Sequence, residues 1–303
     1  MSADVDLWAV PLAVFAGAIR AGSPFLFVSL GECLTERGGR INLGLEGALV
    51  MGAMSAYGGA VLSGSPWLGL LAAIVAGGLL GLLHGLICSL PRVNDIAVGI
   101  GLMLLGIGLA FFLGKPFIQP RAPGLPAFEL GAWSSNPLVR EALRINVLFP
   151  LGLAACALMH LALTRTRWGL ALRCVGDSQD TARALGLPIL RLRLSATALG
   201  GALAGIGGAS LSLFYPGSWN EGLSSGQGLM AVALVVFARW QPWRCLYAAL
   251  LFGGAGALGP ALQAAGVTGA YHLFNAAPYV LTLALMAFAS ERTGAPGELR
   301  LSR

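Results

Sequence analysis

Asn42 and Glu46 stand four residues apart at the head of an apolar run, a spacing that puts both on one face of a helix near the cytoplasmic end of a span. Glu32 lies inside the apolar run before them. Asn94 and Asp95 open another run, and Gln227 and Asn275 head two late ones. Carboxylates and amides at membrane depth are costly, and by default they mark a solute or ion pathway. Hydrogen bonding to a polar solute is one chemistry open to this set. Proton carriage by Glu46 or Asp95, as in a secondary transporter driven by an ion gradient, is another. A third reading is structural: Glu46 pairs with a nearby arginine such as Arg40 and staples a tight turn.

Covalent and metal chemistry find little to work with. A phosphate-binding loop needs a lysine after its glycines, and the single lysine, Lys115, precedes Pro116 instead. The chain is therefore not its own ATPase; any ATP and magnesium belong to a separate subunit, and this chain is expected to bind no cofactor or metal. The GASLS stretch around Ser210 lacks the setting of a nucleophile elbow, and His84, His160 and His272 are scattered, so they read as structural. An intramembrane enzyme is disfavoured because no nucleophile and base occupy matched positions. Cys33, Cys88, Cys156, Cys174 and Cys245 show no paired or metal-like spacing and read as small hydrophobes.

The elements that must position these polar residues are membrane spans. The 303 residues are 56% hydrophobic and 11% charged, with a mean hydropathy of +0.78, a balance no soluble domain of this size shows. The formal charge of +6 does not point to nucleic acid, because the basic residues are not interleaved with exposed aromatics. Their partner is the lipid bilayer. A span needs about 20 apolar residues. By that measure Leu43–Leu62, Trp67–Leu90, Ile96–Leu113, Asn146–Leu163, Leu194–Phe214, Cys245–Ala264 and Phe274–Ala289 cross the membrane. Gly228–Ala238 is short or begins within the preceding loop. Leu7–Ile19 is short too, and reads as an oblique or interfacial segment, or as half of a broken element with Pro24–Leu34. No signal-peptide features precede it, so it is expected to remain in the mature protein.

The expected fold is all-α: a polytopic transmembrane helical bundle of eight to ten spans in one domain, 1–303, with an external loop at 117–144 and a polar tail at 291–303. Assigning both termini to the cytoplasm puts fourteen arginines inside, against four arginines and Lys115 outside, the bias expected of a bacterial cytoplasmic membrane protein. Glycine pairs at 77–78, 200–201, 207–208 and 253–254 let helices approach closely within lipid.

The longest basic interruption, Thr164–Leu194, has to lie in water. Asp177 after Gly176 reads as an N-cap, Ser178–Leu185 as a helix of about two turns, and Gly186 with Pro188 as its stop. Arg165, Arg167, Arg173, Arg183, Arg191 and Arg193 gather there, which assigns it to the cytoplasm. It is either a docking element for a partner or a plain connecting loop.

Several segments together resemble a known family. They are LTERGGRINLGLEGALVMGA at Leu34–Ala53, VNDIAVGIGLMLLGIGL at Val93–Leu109 and WGLALRCVGDSQDTARALGLP at Trp168–Pro188, with NEGLSSGQGLMAVALVVFARWQPW at Asn220–Trp243 and APYVLTLAL at Ala277–Leu285. The chain resembles the permease subunits of binding-protein-dependent ABC importers, in the branch that includes ribose and branched-chain amino acid permeases, and within it the nucleoside-type subgroup. The resemblance implies that Gly176, Asp177, Asp180, Arg183, Leu185 and Gly186 belong to a coupling helix that docks on a cytoplasmic ATPase. It also implies a second, related permease subunit, commonly making a heterodimer, and an extracytoplasmic solute-binding protein. Asn42, Glu46, Asn94, Asp95, Met103, Gln227 and Asn275 are then the expected pathway or gate residues. Members of the subgroup often carry Asn in place of Met103 and Arg in place of Gln227, so this pathway is less polar and less positive. The implied cargo is a nucleoside, nucleobase or related solute, with a simple sugar or a vitamin such as riboflavin as the alternative.

Overall fold

The computed structural model describes residues 9–118, 121–135, 139–140, 143–264, 277–288 and 295–301. Helix α1 (Ala9–Arg37) is continuous through Pro24 and 29 residues long. The expectation of a divided amino-terminal region is thus corrected: at 1.5 Å per residue the helix is about 43 Å long and crosses a bilayer unaided. One proline within so long a helix removes one backbone bond, and the buried Ser23 and Ser29 hydroxyls bond carbonyls of the same helix.

Helices α2 (Leu45–Ser63), α3 (Pro66–Ile87) and α4 (Asp95–Gly114) follow on short turns. The expected external loop carries a small antiparallel hairpin, β1 (Ala127–Glu129) with β2 (Arg144–Asn146), in which Phe128 faces Ile145. Helix α5 (Leu148–Arg165) leads into α6 (Arg167–Asp177) and the six-residue α7 (Gln179–Ala184). Then come α8 (Ile189–Leu213), α9 (Gln227–Phe237), α10 (Pro242–Ala264), α11 (Ala277–Phe288) and α12 (Gly297–Leu301). Seven of these helices are long and apolar enough to cross a membrane. With the shorter α9 and α11 the chain is a multi-pass membrane protein.

Helix α8 is the hub, packed against α1, α2 and α3. Glycine makes that possible. A Cβ on Gly77 or Gly81 of α3 would collide with the α8 backbone at Gly201 or Thr197, and one on Gly52 of α2 would collide with Gly205. Only one glycine of some expected pairs is needed. Gly78 would make ordinary contacts at 3.6 Å, and Gly254 likewise at 3.5 Å, whereas Gly253 abuts the backbone of Gly22 on α1. By contrast α3, α4 and α5 turn large apolar side chains such as Leu79, Leu104, Phe112 and Leu158 outward, the exposure lipid requires.

Candidate functional site

The site is built around α9, which has only eleven residues. At about 1.5 Å per residue it spans roughly 16 Å, half of a hydrocarbon core of about 30 Å. Its carboxy-terminal side ends at the arginine-rich end of the bundle: Trp240 is buried, its indole N–H donates to Glu36, and its carbonyl accepts from Nε and Nη2 of Arg37 at 3.0 and 2.9 Å. Trp240 is therefore a clasp that ties the end of α9 to α1. The opposite end of α9 must lie about halfway into the bundle.

That buried amino-terminal end has amides with no partner inside their own helix. Glu46, in the first turn of α2, supplies one. Its Oε2 accepts from the backbone N of Gly228 at 2.6 Å and of Leu229 at 3.3 Å, and its Oε1 accepts from the Ser224 hydroxyl at 2.6 Å. The carboxylate is 4% exposed and sits at the positive pole of the half-helix, a favourable place for negative charge. Gly228 is fixed by the same contact, since a Cβ there would lie 2.7 Å from the Glu46 Cα. Backbone turns at Gly222, Ser225 and Gly226, all with positive φ, bring the chain to this point.

The remaining expected residues divide. Gln227 is the first residue of α9, and its Oε1 is buried with no hydrogen-bond partner among the described residues. Met103 lies on the other side of the α2 turn, where a Cβ on Gly47 would come 2.8 Å from the Met103 Cα. The structure thus brings Glu46, Met103 and Gln227 to one level. Asn42 does not share a helix face with Glu46, because α2 begins only at Leu45. Asn42 instead lies in the preceding turn, where its Oδ1 accepts from Gly44 N at 3.0 Å and its own N–H donates to Glu32 Oε1 at 2.8 Å. The Glu46–Arg40 pairing is also corrected: Arg40 binds Asp95 at 2.5 Å. Asn94 caps α4 by accepting from Ile96 and Ala97 at 2.9 and 3.1 Å. Asn94 and Asp95 therefore stand at the arginine-rich mouth, eight to nine residues or about 12–14 Å along α4 from Met103. Asn275 lies outside the described residues, as does His272.

At the same mouth the basic segment forms two helices rather than one. Asp177 is the last residue of α6 and not an N-cap; Ser178 caps α7, its Oγ accepting from Thr181 N at 3.2 Å. Ser178 can do so because its backbone is extended, whereas Asp177 is still helical. Gly186, with φ of +69°, ends the turn as expected. Gly176 and Ala182 face inward, Gly176 so closely that a Cβ would collide with the Arg37 carbonyl. Asp180, Arg183 and Leu185 point away from the bundle; Asp180 and Arg183 form an exposed pair at 3.3 Å, and Leu185 is 65% exposed. A short capped helix with an apolar tip and a charged flank is suited to docking.

Sequence reasoning missed Ser224, Glu36, Arg37 and Trp240 as members of this site. The Trp240 clasp had a signal in the RWQPWR run, but nothing local tells that its indole turns inward.

Residues 14–290 match the family described as branched-chain amino acid transport system permease component. Among curated relatives, a putative glucose ABC transporter permease of Haloferax volcanii is 34% identical over 298 residues, 91% of each chain. A nucleoside ABC transporter permease of Lactococcus lactis is 29% identical over 93% of this chain and 94% of its own. A guanosine ABC transporter permease of Bacillus subtilis is 28% identical over 90% of this chain and 91% of its own. With a family match over nearly the whole chain and a half-helix inside a glycine-packed bundle, the chain belongs to the branched-chain amino acid transport system permease family and is a permease subunit of an ABC importer.

Proposed function

We propose that this permease forms half of the pathway for a neutral, hydrogen-bonding solute, a nucleoside or nucleobase first. The observation that carries the reading is the Glu46 cap. Half-helix amino termini in transporters attract anionic groups of their substrates. Here a protein carboxylate already occupies that pole, so a second negative charge would be repelled, and a neutral cargo fits better. The unpartnered Gln227 Oε1 offers an acceptor to an N–H or O–H donor of that cargo. The nucleoside and guanosine relatives support this cargo. The Haloferax volcanii relative favours a simple sugar as a second reading.

In this reading ATP and magnesium bind a separate cytoplasmic ATPase that docks on α7 through Asp180, Arg183 and Leu185, with Gly176, Asp177 and Gly186 shaping the turn. A second, related permease subunit completes the pathway, and an extracytoplasmic binding protein delivers the solute. Asn94 and Asp95, with Arg40, form the inner gate, and Asn275 remains a pathway candidate. The membrane is the bacterial cytoplasmic membrane, with the arginine-rich end inside. A continuous α1 then places residue 9 outside, opposite to the assignment of both termini to the cytoplasm, while α12 stays inside.

Uptake of labelled guanosine and of labelled glucose, in cells carrying the permease with its ATPase and binding protein, tests the cargo. Guanosine uptake that excess unlabelled glucose leaves intact supports the first reading; uptake of an anionic solute in preference to both would overturn the neutral-cargo argument.

A further inference from the structure

The carboxy-terminal helix α12 packs on the end of α6 and is joined to the first residue of α7, although 119 residues separate the atoms that make that bond. Glu298 Oε1 accepts from the backbone N of Gln179, the first residue of α7, at 2.7 Å. Gly297 is pressed on the Asp177 carbonyl so closely that a Cβ would collide with it. Ala295, just before, is 8% exposed and joins the apolar core. The contact is continued inward by Arg193 near the start of α8, which donates to Gln179 Oε1 at 3.2 Å and to the Gly38 carbonyl at 3.0 Å. Gly39 completes the junction: its φ is +77°, and a Cβ there would approach Glu298 to 3.2 Å and Arg193 to 3.3 Å. The ends of α1, α7, α8 and α12 thus meet around one cleft of about 270 Å³ lined by Arg40, Asp95, Gln179, Arg193 and Glu298.

A helix of six residues is far too short to hold its own shape, because nucleation is costly and few hydrogen bonds reward it. Its leading amides need acceptors. Ser178 serves Thr181, and Glu298 serves Gln179 with a carboxylate at the favourable pole. A load applied to the exposed face at Asp180 and Arg183 would bend an unbraced α7. With Glu298 and Arg193 in place, the load passes to α8, the hub of the bundle, and to the end of α1. We infer that α12 is a strut of the coupling apparatus and that Glu298 is a positioning residue that makes α7 rigid enough to transmit force. The inference rests on the reading of α7 as the ATPase dock.

The experiment uses the full permease–ATPase complex in proteoliposomes and reads solute imported per ATP hydrolysed, with guanosine or glucose, whichever the wild type imports. This ratio is independent of how much complex folds. Glu298→Ala should lower it about fivefold or more, and Glu298→Gln, which keeps the oxygen acceptor, should restore most of it. In the same complexes amide exchange over residues 177–186 should rise about fivefold in Glu298→Ala and stay near wild type in Glu298→Gln. A wild-type ratio in Glu298→Ala, or an equal loss in Glu298→Gln, overturns the strut. Asp180→Ala with Arg183→Ala separates the two readings: if this pair lowers the ratio and Glu298→Ala does not, the strut alone fails, and if the pair has no effect, the dock fails with it.

Discussion

At the residue scale the molecule turns on carboxylates whose partners are backbone groups. Glu46 replaces the missing acceptors of a buried half-helix, and removing it strands two amides and a hydroxyl. Each buried donor left without a partner costs about 1–3 kcal/mol. Glu46→Ala should therefore lower the thermal unfolding midpoint of the purified permease and abolish uptake, while Glu46→Gln, which keeps one oxygen, should retain a measurable fraction of both; equal stability of the alanine variant would refute the cap. The Arg40–Asp95 pair is different in kind, with both side chains nearly a fifth exposed. A double-mutant cycle on its stability should give a coupling below about 1 kcal/mol, and a larger effect is expected on transport if the pair gates the mouth. The polar residues themselves were legible in the sequence because they interrupt apolar runs. Their partners were not, since Ser224 and Gly228 lie about 180 residues from Glu46 and no local pattern links them.

At the element scale, span positions follow from apolar length, and the helices begin or end within a few residues of the hydropathy boundaries. Departures occur where polar side chains belong to helices. Helix α8 begins at Ile189, five residues before the apolar run, because Arg193 is buried there with partners of its own. Helix α1 is unbroken because the bundle tolerates Pro24 within it. The glycine pairs were legible as packing signals, but which member of each faces a neighbour depends on helix rotation. That difference is measurable: Gly77→Val should prevent the α3–α8 contact and remove folded protein from the membrane fraction, whereas Gly78→Val should be tolerated. Equal yields of the two variants would contradict the packing described.

At the scale of the whole molecule, the structure is a bundle with a rigid hub, one half-helix fixed at both ends, and a small exposed knob at the arginine-rich end. The segment the sequence marks as a dock lies at the end of the bundle opposite to the β1–β2 hairpin. Asp180→Ala with Arg183→Ala should lower solute-stimulated ATPase activity several-fold while leaving the bundle folded, as judged by gel filtration, and unchanged stimulation would count against α7 as the dock. The central claim is that transport by this chain is powered from outside it. The most direct test is guanosine uptake by proteoliposomes that hold the permease pair and binding protein, with and without the ATPase. We predict uptake only when ATPase and ATP are both present, unaffected by an uncoupler; uptake by the permease alone that collapses when the uncoupler is added would contradict the account.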